Sequence, residues 1–387
     1  MQEAPLHSLG SEIRGSVAPE AGTTYELWSV PSFSEQRPEI LDGRDIGSSK
    51  RPVMPGDVLI CKINPRINRV WIVSDPSGPF VQVASPEFLV FRPNNPAIAR
   101  YLMWYLRSPI FRDWIKLSAE GATGSHTRAK SAPILQQPIP IAPAAEYTAI
   151  VNTIESHFSH LDAAGASLIR ASLALQALQE QRYRAVLSSD APLVRLSEIA
   201  RTSSGGTPSR RDASNFGGEI PWIKSGELGD GTVTGTEESI TCAGLRSSSA
   251  KIFNKGTLLM AMYGATIGRL GIVGMSSAAT NQAVCAIEPH DRELTPYLWL
   301  CLRALRSDIV AAGKGGAQPN ISQGVIQSLS IPLPSPSRRA ALVAILERDI
   351  DELVRIRGIV DLQASRLTAL RRAVLLGAFA RRKMEVA

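Results

Sequence analysis

The chain has little cysteine: four in 387 residues, Cys61, Cys242, Cys285 and Cys301, with no Cys-x-x-Cys among them and no histidine pair nearby. That spacing excludes a disulfide scaffold and a zinc ribbon, and it fits reduced, mostly buried thiols. Long hydrophobic runs are also missing. None approaches the ~20 residues a membrane-spanning helix requires, so no membrane partner is expected. The opening Met1-Gln2-Glu3-Ala4-Pro5 has neither the basic start nor the apolar stretch of a secretory signal, and a cytoplasmic location is expected. With 44% hydrophobic and 20% charged residues the chain is too apolar to be disordered. Its length suits two or three domains of ~100–200 residues.

Catalytic signatures are lacking as well. Gly313-Lys314 is followed by Gly315 rather than Ser or Thr, so no phosphate-cradling P-loop is present. The nearest string to the Asn/Asp-Pro-Pro-aromatic motif of an amine methyltransferase, Asn64-Pro65-Arg66, fails it. None of the nine lysines has an acidic residue two positions earlier, as a Mg²⁺-dependent nuclease of the restriction type would need. There is no Gly-x-Ser-x-Gly elbow. Histidines number five, and only His157 and His160 share a helical i, i+3 spacing that could ligate a metal; with no third ligand near, a solvated helix face is the expected setting. The chain therefore reads as non-catalytic, binding no metal or cofactor of its own.

What the sequence does contain is a duplication. Gly56-Asp57-Val58-Leu59-Ile60 reads like Gly256-Thr257-Leu258-Leu259-Met260, and Arg69-Val70-Trp71-Ile72-Val73 like Arg269-Leu270-Gly271-Ile272-Val273. Phe91-Arg92-Pro93 matches Ile287-Glu288-Pro289, Tyr101-Leu102 matches Tyr297-Leu298, Ile139-Pro140-Ile141 matches Ile331-Pro332-Leu333, and Arg184-Ala185-Val186-Leu187 matches Arg372-Ala373-Val374-Leu375. The order is kept while the offset drifts, as loops of unequal length require.

Each copy begins with a Gly/Pro/Ser-rich part whose short apolar runs, Asp57–Ile63, Arg69–Val73, Phe88–Phe91, Gly256–Met262 and Ala283–Ile287, read as strands. Helices are expected at Pro96–Ile115 and Thr295–Ala311. Each copy then ends in a long proline-free segment. Leu346, Ile350, Leu353, Ile356, Val360, Leu367, Leu370 and Val374 recur near a 3.5-residue period, as do Ile154, Phe158, Leu161, Leu168 and Leu175. Such segments form rods of roughly 60 Å that pair along an apolar seam. Measured between matching landmarks, the first rod is longer by about one turn. The fold expected is α+β: two mixed α/β heads joined by two long antiparallel helices in a coiled coil, with a pseudo-two-fold. The expected boundaries are 1–145 and 191–336 for the heads, and 146–190 and 337–387 for the helices.

That order of head and helix resembles the specificity (S) subunits of type I restriction–modification systems. In the second copy the resemblance rests on Ser204-Gly205-Gly206-Thr207-Pro208-Ser209, Ile220-Pro221-Trp222-Ile223-Lys224, Tyr263-Gly264-Ala265-Thr266-Ile267-Gly268, Asn281-Gln282-Ala283 and Gly315-Gly316-Ala317-Gln318-Pro319-Asn320-Ile321-Ser322. In the first it rests on Tyr25-Glu26-Leu27-Trp28-Ser29-Val30-Pro31, Pro55-Gly56-Asp57-Val58-Leu59 and Gly124-Ser125-His126-Thr127-Arg128. The chain departs from the family's pattern after Ile331-Pro332-Leu333-Pro334, where Ser337-Arg338-Arg339 stands in place of Glu-Gln and only Glu146 is kept in the first copy.

The resemblance implies a non-enzymatic reader of double-stranded DNA. Each target-recognition head would read half of a split target, and the helices would set the unspecified spacer. Two methyltransferase (M) subunits using S-adenosylmethionine would pack along the helices and methylate adenine. In a restriction complex, restriction (R) subunits would add ATP- and Mg-dependent cleavage. The candidate DNA contacts in the first head are Lys62, Asn64, Arg66, Asn68, Arg69, Ser125, His126 and Arg128. In the second they are Gly205, Gly206, Thr207, Lys224, Tyr263, Thr266, Arg269, Gln318 and Asn320. Arginine suits guanine edges and phosphates, and Asn or Gln suits adenine, although a solvated loop or turn accounts for each residue taken singly. The surplus of 33 Arg over 9 Lys fits nucleic acid and equally a G+C-rich genome. Of the net charge of +7, +5 lies on residues 338–387 and only +2 and +1 on the two heads. Two alternatives stay open at this level: a degenerate or fused DNA methyltransferase or nuclease, and a coiled-coil scaffold without DNA function.

Overall fold

The computed structural model describes residues 2–117, 127–188, 190–313 and 320–380. The chain divides into two compact units, one built from Met1–Ile169 with Asp361–Ala387 and the other from Arg170–Val360.

In the first unit, Gly10–Glu12, Phe88–Pro93, Val58–Cys61 and Val70–Ile72 form an antiparallel four-stranded sheet in that order. A second sheet runs Glu39–Asp42, Thr24–Trp28, Val81–Ala84, Arg51–Pro52, with its central pair parallel. Gln2–Pro5 pairs with Pro138–Ile141. The second unit repeats the scheme. Its main sheet runs Ala200–Ser204, Val284–Pro289, Leu258–Ala261, Leu270–Val273 and gains the parallel edge strand Gly231–Val233. Its companion sheet is Ser239–Ile240, Phe216–Ile223, Ser277–Thr280, Ile252–Asn254, and Leu193–Arg195 pairs with Ser330–Pro332.

Val58–Cys61 and Leu258–Ala261 are buried at every position. Both faces of these central strands are covered, so their sequences are continuous apolar runs rather than alternating ones. Each is entered through a glycine in the left-handed region, Gly56 at φ +89° and Gly256 at φ +87°, where a β-carbon would be strained. The duplication extends to single hydrogen bonds. Buried Tyr101 donates its hydroxyl to the Pro140 carbonyl at 2.7 Å, and Tyr297 donates to Pro332 at 2.8 Å. Each phenol ties the head's helix to the strand that leads into a long helix.

The single helices expected at Pro96–Ile115 and Thr295–Ala311 are each two. Ala99–Arg107 gives way to Pro109–Leu117, and Thr295–Ala304 to Arg306–Ala311. Pro109 has no N–H to continue the first, and it sits where a new helix can begin.

The long helices are Ala144–Ala185, 42 residues, and Pro336–Ala380, 45 residues. The second is thus the longer, because it continues past Leu375 while the first stops before Leu187. In the first unit, Gly165 lies against Leu367 and Asp162 pairs with Arg371, so the segments run antiparallel. In the second, Arg182 reaches Asp349 at 3.7 Å while Val186 joins Leu346 in the core. The 3.5-residue seam is real: Ile154, Leu346 and Leu353 are buried, and Phe158, Leu161, Leu168, Leu175, Ile350, Ile356, Val360, Leu367 and Val374 are half-buried. Leu370 is the correction, 52% exposed, with Arg371 half-buried and Leu375 buried instead. The first unit's core closes over the end of the second long helix. Phe379, 1% exposed, packs edge-on to Tyr101 and Tyr105 at centroid distances of 5.5 and 5.4 Å. Among the described residues no helix is long and apolar enough to cross a membrane.

Candidate nucleic-acid interface

The two heads share one loop frame. Between Val58–Cys61 and Val70–Ile72 the chain makes a short 3-10 turn, Pro65–Ile67; between Leu258–Ala261 and Leu270–Val273 it makes Gly264–Thr266. Four backbone links recur. Cys61 N–H donates to Arg69 O and Ala261 N–H to Arg269 O, both at 2.9 Å. Lys62 N–H donates to Glu87 O at 3.0 Å, and Met262 N–H to Ala283 O at 2.8 Å. Ala129 N–H donates to Lys62 O at 2.8 Å, and Ile321 N–H to Met262 O at 2.9 Å. Ile63 bridges Arg128, and Tyr263 bridges Asn320. Three chain segments distant in sequence therefore converge at one place in each head.

In the first unit this frame gathers Lys62, Asn64, Arg66, Asn68, Arg69 and Arg128. Asn64 (φ +47°) and Asn68 (φ +51°) both stand in the left-handed region, where asparagine is among the few side chains tolerated. Asn68 spends its amide donor internally, on the Leu106 carbonyl at 2.9 Å, and so satisfies the end of the helix Ala99–Arg107. Asn64 Oδ1 is buried with no hydrogen-bond partner among the described residues. Arg66 is exposed and makes no side-chain pairing among the described residues, and Arg69 is half-buried. Lys62 lines a cavity of about 360 Å³ with Arg128, Ala129, Lys130 and Ser131. Its ammonium titrates below the usual lysine value because burial disfavours the charge and the cations Arg128 and Arg51 repel it. Arg128 Nη2 lies 2.9 Å from Glu87 Oε2, an ion pair without hydrogen-bond alignment. Ser125 and His126 lie outside the described residues.

In the second unit the frame gathers Tyr263, Thr266, Arg269 and Asn320; Gln318 lies outside the described residues. Tyr263 is 43% exposed, Thr266 Oγ1 donates to the Tyr263 carbonyl at 2.8 Å, and Arg269 is exposed with no side-chain partner among the described residues. Asn320 is exposed as well.

Gly205, Gly206, Thr207 and Lys224 form a separate group. Both glycines are buried, and their missing side chains make room for the protein's own chain. A β-carbon on Gly205 would lie 2.0 Å from Thr280 O, and one on Gly206 2.5 Å from Ala250 N. Thr207 is exposed and its hydroxyl donates to Gln282 Oε1. Lys224 Nζ is held by Glu237 at 2.8 Å and Glu238 at 3.0 Å, and Arg210 holds the other side of Glu238 at 2.6 and 3.1 Å. Arg210 and Lys224 bring the Glu238 carboxyl down to about 2, while Glu237 and Glu238 raise Lys224. The Arg210 guanidinium also sits 4.5 Å from the Phe216 ring centroid and 5.4 Å from that of Trp222. Lys224 is therefore largely neutralised within its own head. Sequence reading missed Glu87, Arg210, Glu237 and Glu238, whose importance lies in pairings across strands that no local motif announces.

His157 and His160 are exposed on the long helix, and His157 Nδ1 contacts its own Thr153 carbonyl at 2.7 Å. Among the described residues no three His, Cys, Asp or Glu side chains come together as a metal site.

Comparison with known proteins places these heads in context. Residues 189–357 match the type I restriction modification DNA specificity domain. The chain is 26% identical over 267 residues to the type I restriction enzyme EcoR124I/EcoR124II specificity subunit of Escherichia coli, covering 66% of this chain and 64% of that protein. It is 28% identical over 165 residues to the MjaIX specificity subunit of Methanocaldococcus jannaschii, covering 41% and 38%. The matched stretches thus span less than two thirds of these curated relatives. Among solved structures, a chain from a type I R-M system, described for its complex assembly and conformational transition, superposes with a TM-score of 0.83 at 20% identity, over 98% of this chain and 97% of that one. The HsdS subunit from Thermoanaerobacter tengcongensis superposes at 0.59 and 18% identity, over 98% and 96%. Domain match, relatives and fold point the same way: residues 189–357 carry a type I restriction modification DNA specificity domain, and the chain is similar to the specificity subunits of type I restriction–modification systems.

Proposed function

We propose that this protein is the sequence-reading subunit of a type I restriction–modification complex, each head recognising one half of a bipartite double-stranded DNA target. The observation that carries the reading is the loop frame built once in each unit, which presents Lys62, Arg66 and Arg128 in one head and Tyr263, Arg269 and Asn320 in the other. Phosphate contacts position such a head and base-edge contacts give it specificity. The exposed Arg66 and Arg269 are suited to either task. The chain itself supplies recognition and no chemistry. Methylation of adenine with S-adenosylmethionine falls to two methyltransferase subunits docked on the long helices, and ATP- and Mg-dependent cleavage to restriction subunits where they are present. The long helices set the number of unread base pairs between the half-sites.

The test is to map methylated adenines in cells carrying this chain with its methyltransferase partner. A two-part motif with a fixed gap is expected. Turnover of S-adenosylmethionine by the purified chain alone, or methylation without a motif, overturns the reading.

A further inference from the structure

The frame at Lys62, Glu87 and Arg128 has a twin at Met262, Ala283 and Asn320, position for position. Backbone geometry is held constant while side-chain chemistry changes completely: two cations and an anion in one head, and a thioether, a methyl and an amide in the other. Residues kept only to maintain the loop would have no reason to differ so far while the hydrogen bonds between their backbones do not. Variation of this kind belongs to positions that meet something different in each head.

The first head's set also tells a base from a phosphate. A phosphate offers acceptors only, so a site built for it gathers donors and avoids carboxylates. Here Glu87, 31% exposed at its side chain, stands directly against Arg128, 53% exposed, with the Lys62 ammonium in the adjoining cavity. A mixed set of donors and an acceptor complements a base-pair edge, which presents both. In the major groove, guanine offers N7 and O6 as acceptors and cytosine offers its N4 amino group as donor. Two cations with one carboxylate match that pair. Adenine–thymine also offers two acceptors and one donor, but it places the donor between the acceptors. Lys62 and Arg128 instead share a cavity that Glu87 does not line, so the two cations stand side by side as guanine N7 and O6 do, with the carboxylate to one side.

We propose that Glu87, together with Lys62 and Arg128, is the base-reading element of the first head, and that it selects a G·C pair with Glu87 accepting from cytosine and the cations donating to guanine. This rests on the DNA-reading function proposed above.

The test maps methylated adenines in cells expressing the assembled methyltransferase with the wild-type chain, Glu87→Gln or Arg128→Lys. The wild-type motif should contain a G·C pair in one half. Glu87→Gln should make that one position degenerate, with about tenfold lower discrimination, and leave the other half unchanged. Retention of the full motif in Glu87→Gln overturns the proposal while the DNA-reading function stands. Uniform loss of methylation at every site in both variants, with no change of preference, also overturns it, since Glu87 would then serve only to hold Arg128 and the fold. Methylation without any motif in the wild type removes the DNA-reading function and the proposal with it.

Discussion

Replacing Phe379 by alanine should unfold the first unit in preference to the second. Phe379 is 1% exposed and lies in the core that holds Tyr101, Tyr105, Tyr147 and Ile154. Deleting a buried phenyl ring costs about 3–5 kcal/mol through lost transfer energy and the cavity left behind. The two edge-on contacts with Tyr101 and Tyr105, worth about 0.5–1.5 kcal/mol each, fall within that range rather than adding to it. A total stability of about 5–15 kcal/mol leaves little margin for such a loss. Hydrogen exchange read by mass spectrometry on the intact chain separates the units. Protection should drop in Ala99–Arg107 and over residues 361–380 by an amount corresponding to about 3 kcal/mol or more, while Leu258–Ala261 is unaffected. Phe379→Leu, which keeps most of the apolar volume, should cost less than half as much. A loss below about 1 kcal/mol, or an equal loss in both units, would refute the idea that the end of the second long helix belongs to the first unit's core.

Gly205→Ala should destabilise the second head by about 1–3 kcal/mol through the clash with Thr280 O, measurable as a lowered urea midpoint; an unchanged midpoint would show that the backbone yields. Glu238→Gln should release Lys224 and Arg210 from their shared carboxylate and strengthen non-specific DNA binding, steepening its salt dependence by up to about one unit per freed charge. An unchanged slope would mean these cations never face DNA. Glu26 is 1% exposed. Burial pushes its carboxyl upward, but hydrogen bonds from Ser77 and Gln82 outweigh this and leave it below its ordinary 4.5. Its contribution is therefore present above that value and lost as pH falls through the lower folded one, so a plot of Tm against pH should be flatter on the acid side in Glu26→Gln than in the wild type. Arg66→Ala and Arg269→Ala should each weaken a different half of the target, lowering the salt slope by about one if the contact is to phosphate and relaxing one base position if it is to a base.

The repeat was legible because it is written in residues that burial constrains. The Val58–Cys61 and Leu258–Ala261 runs and the tyrosines that anchor Pro140 and Pro332 survive in both copies. The helical seam was legible for the same reason, apart from Leu370, where a drift of the 3.5-residue pattern brings Arg371 inward. The site was harder. Asn64 and Asn68 stood out as polar loop residues, yet their left-handed backbone explains asparagine there without any ligand. Lys224 looked like a free cation until the fold brought Glu237 and Glu238 to it. Glu87 carried no signal at all, since its meaning comes from a backbone link to Lys62 and an ion pair with Arg128, neither of which is local.

The first unit draws on two separate stretches of the chain, residues 1–169 and 361–387, whereas the second is a single uninterrupted stretch, residues 170–360. Synthesis usually lets the N-terminal domain fold first, at about 5–20 residues per second. Here the order is inverted. The second head has all its residues before the first receives Leu375 and Phe379, and the first must wait roughly 10–40 s after Ile169 has been made for its own core to close. During that interval the ring faces of Tyr101 and Tyr105 have no Phe379 to cover them, so the first unit keeps apolar core surface open to water while the second is already complete in sequence.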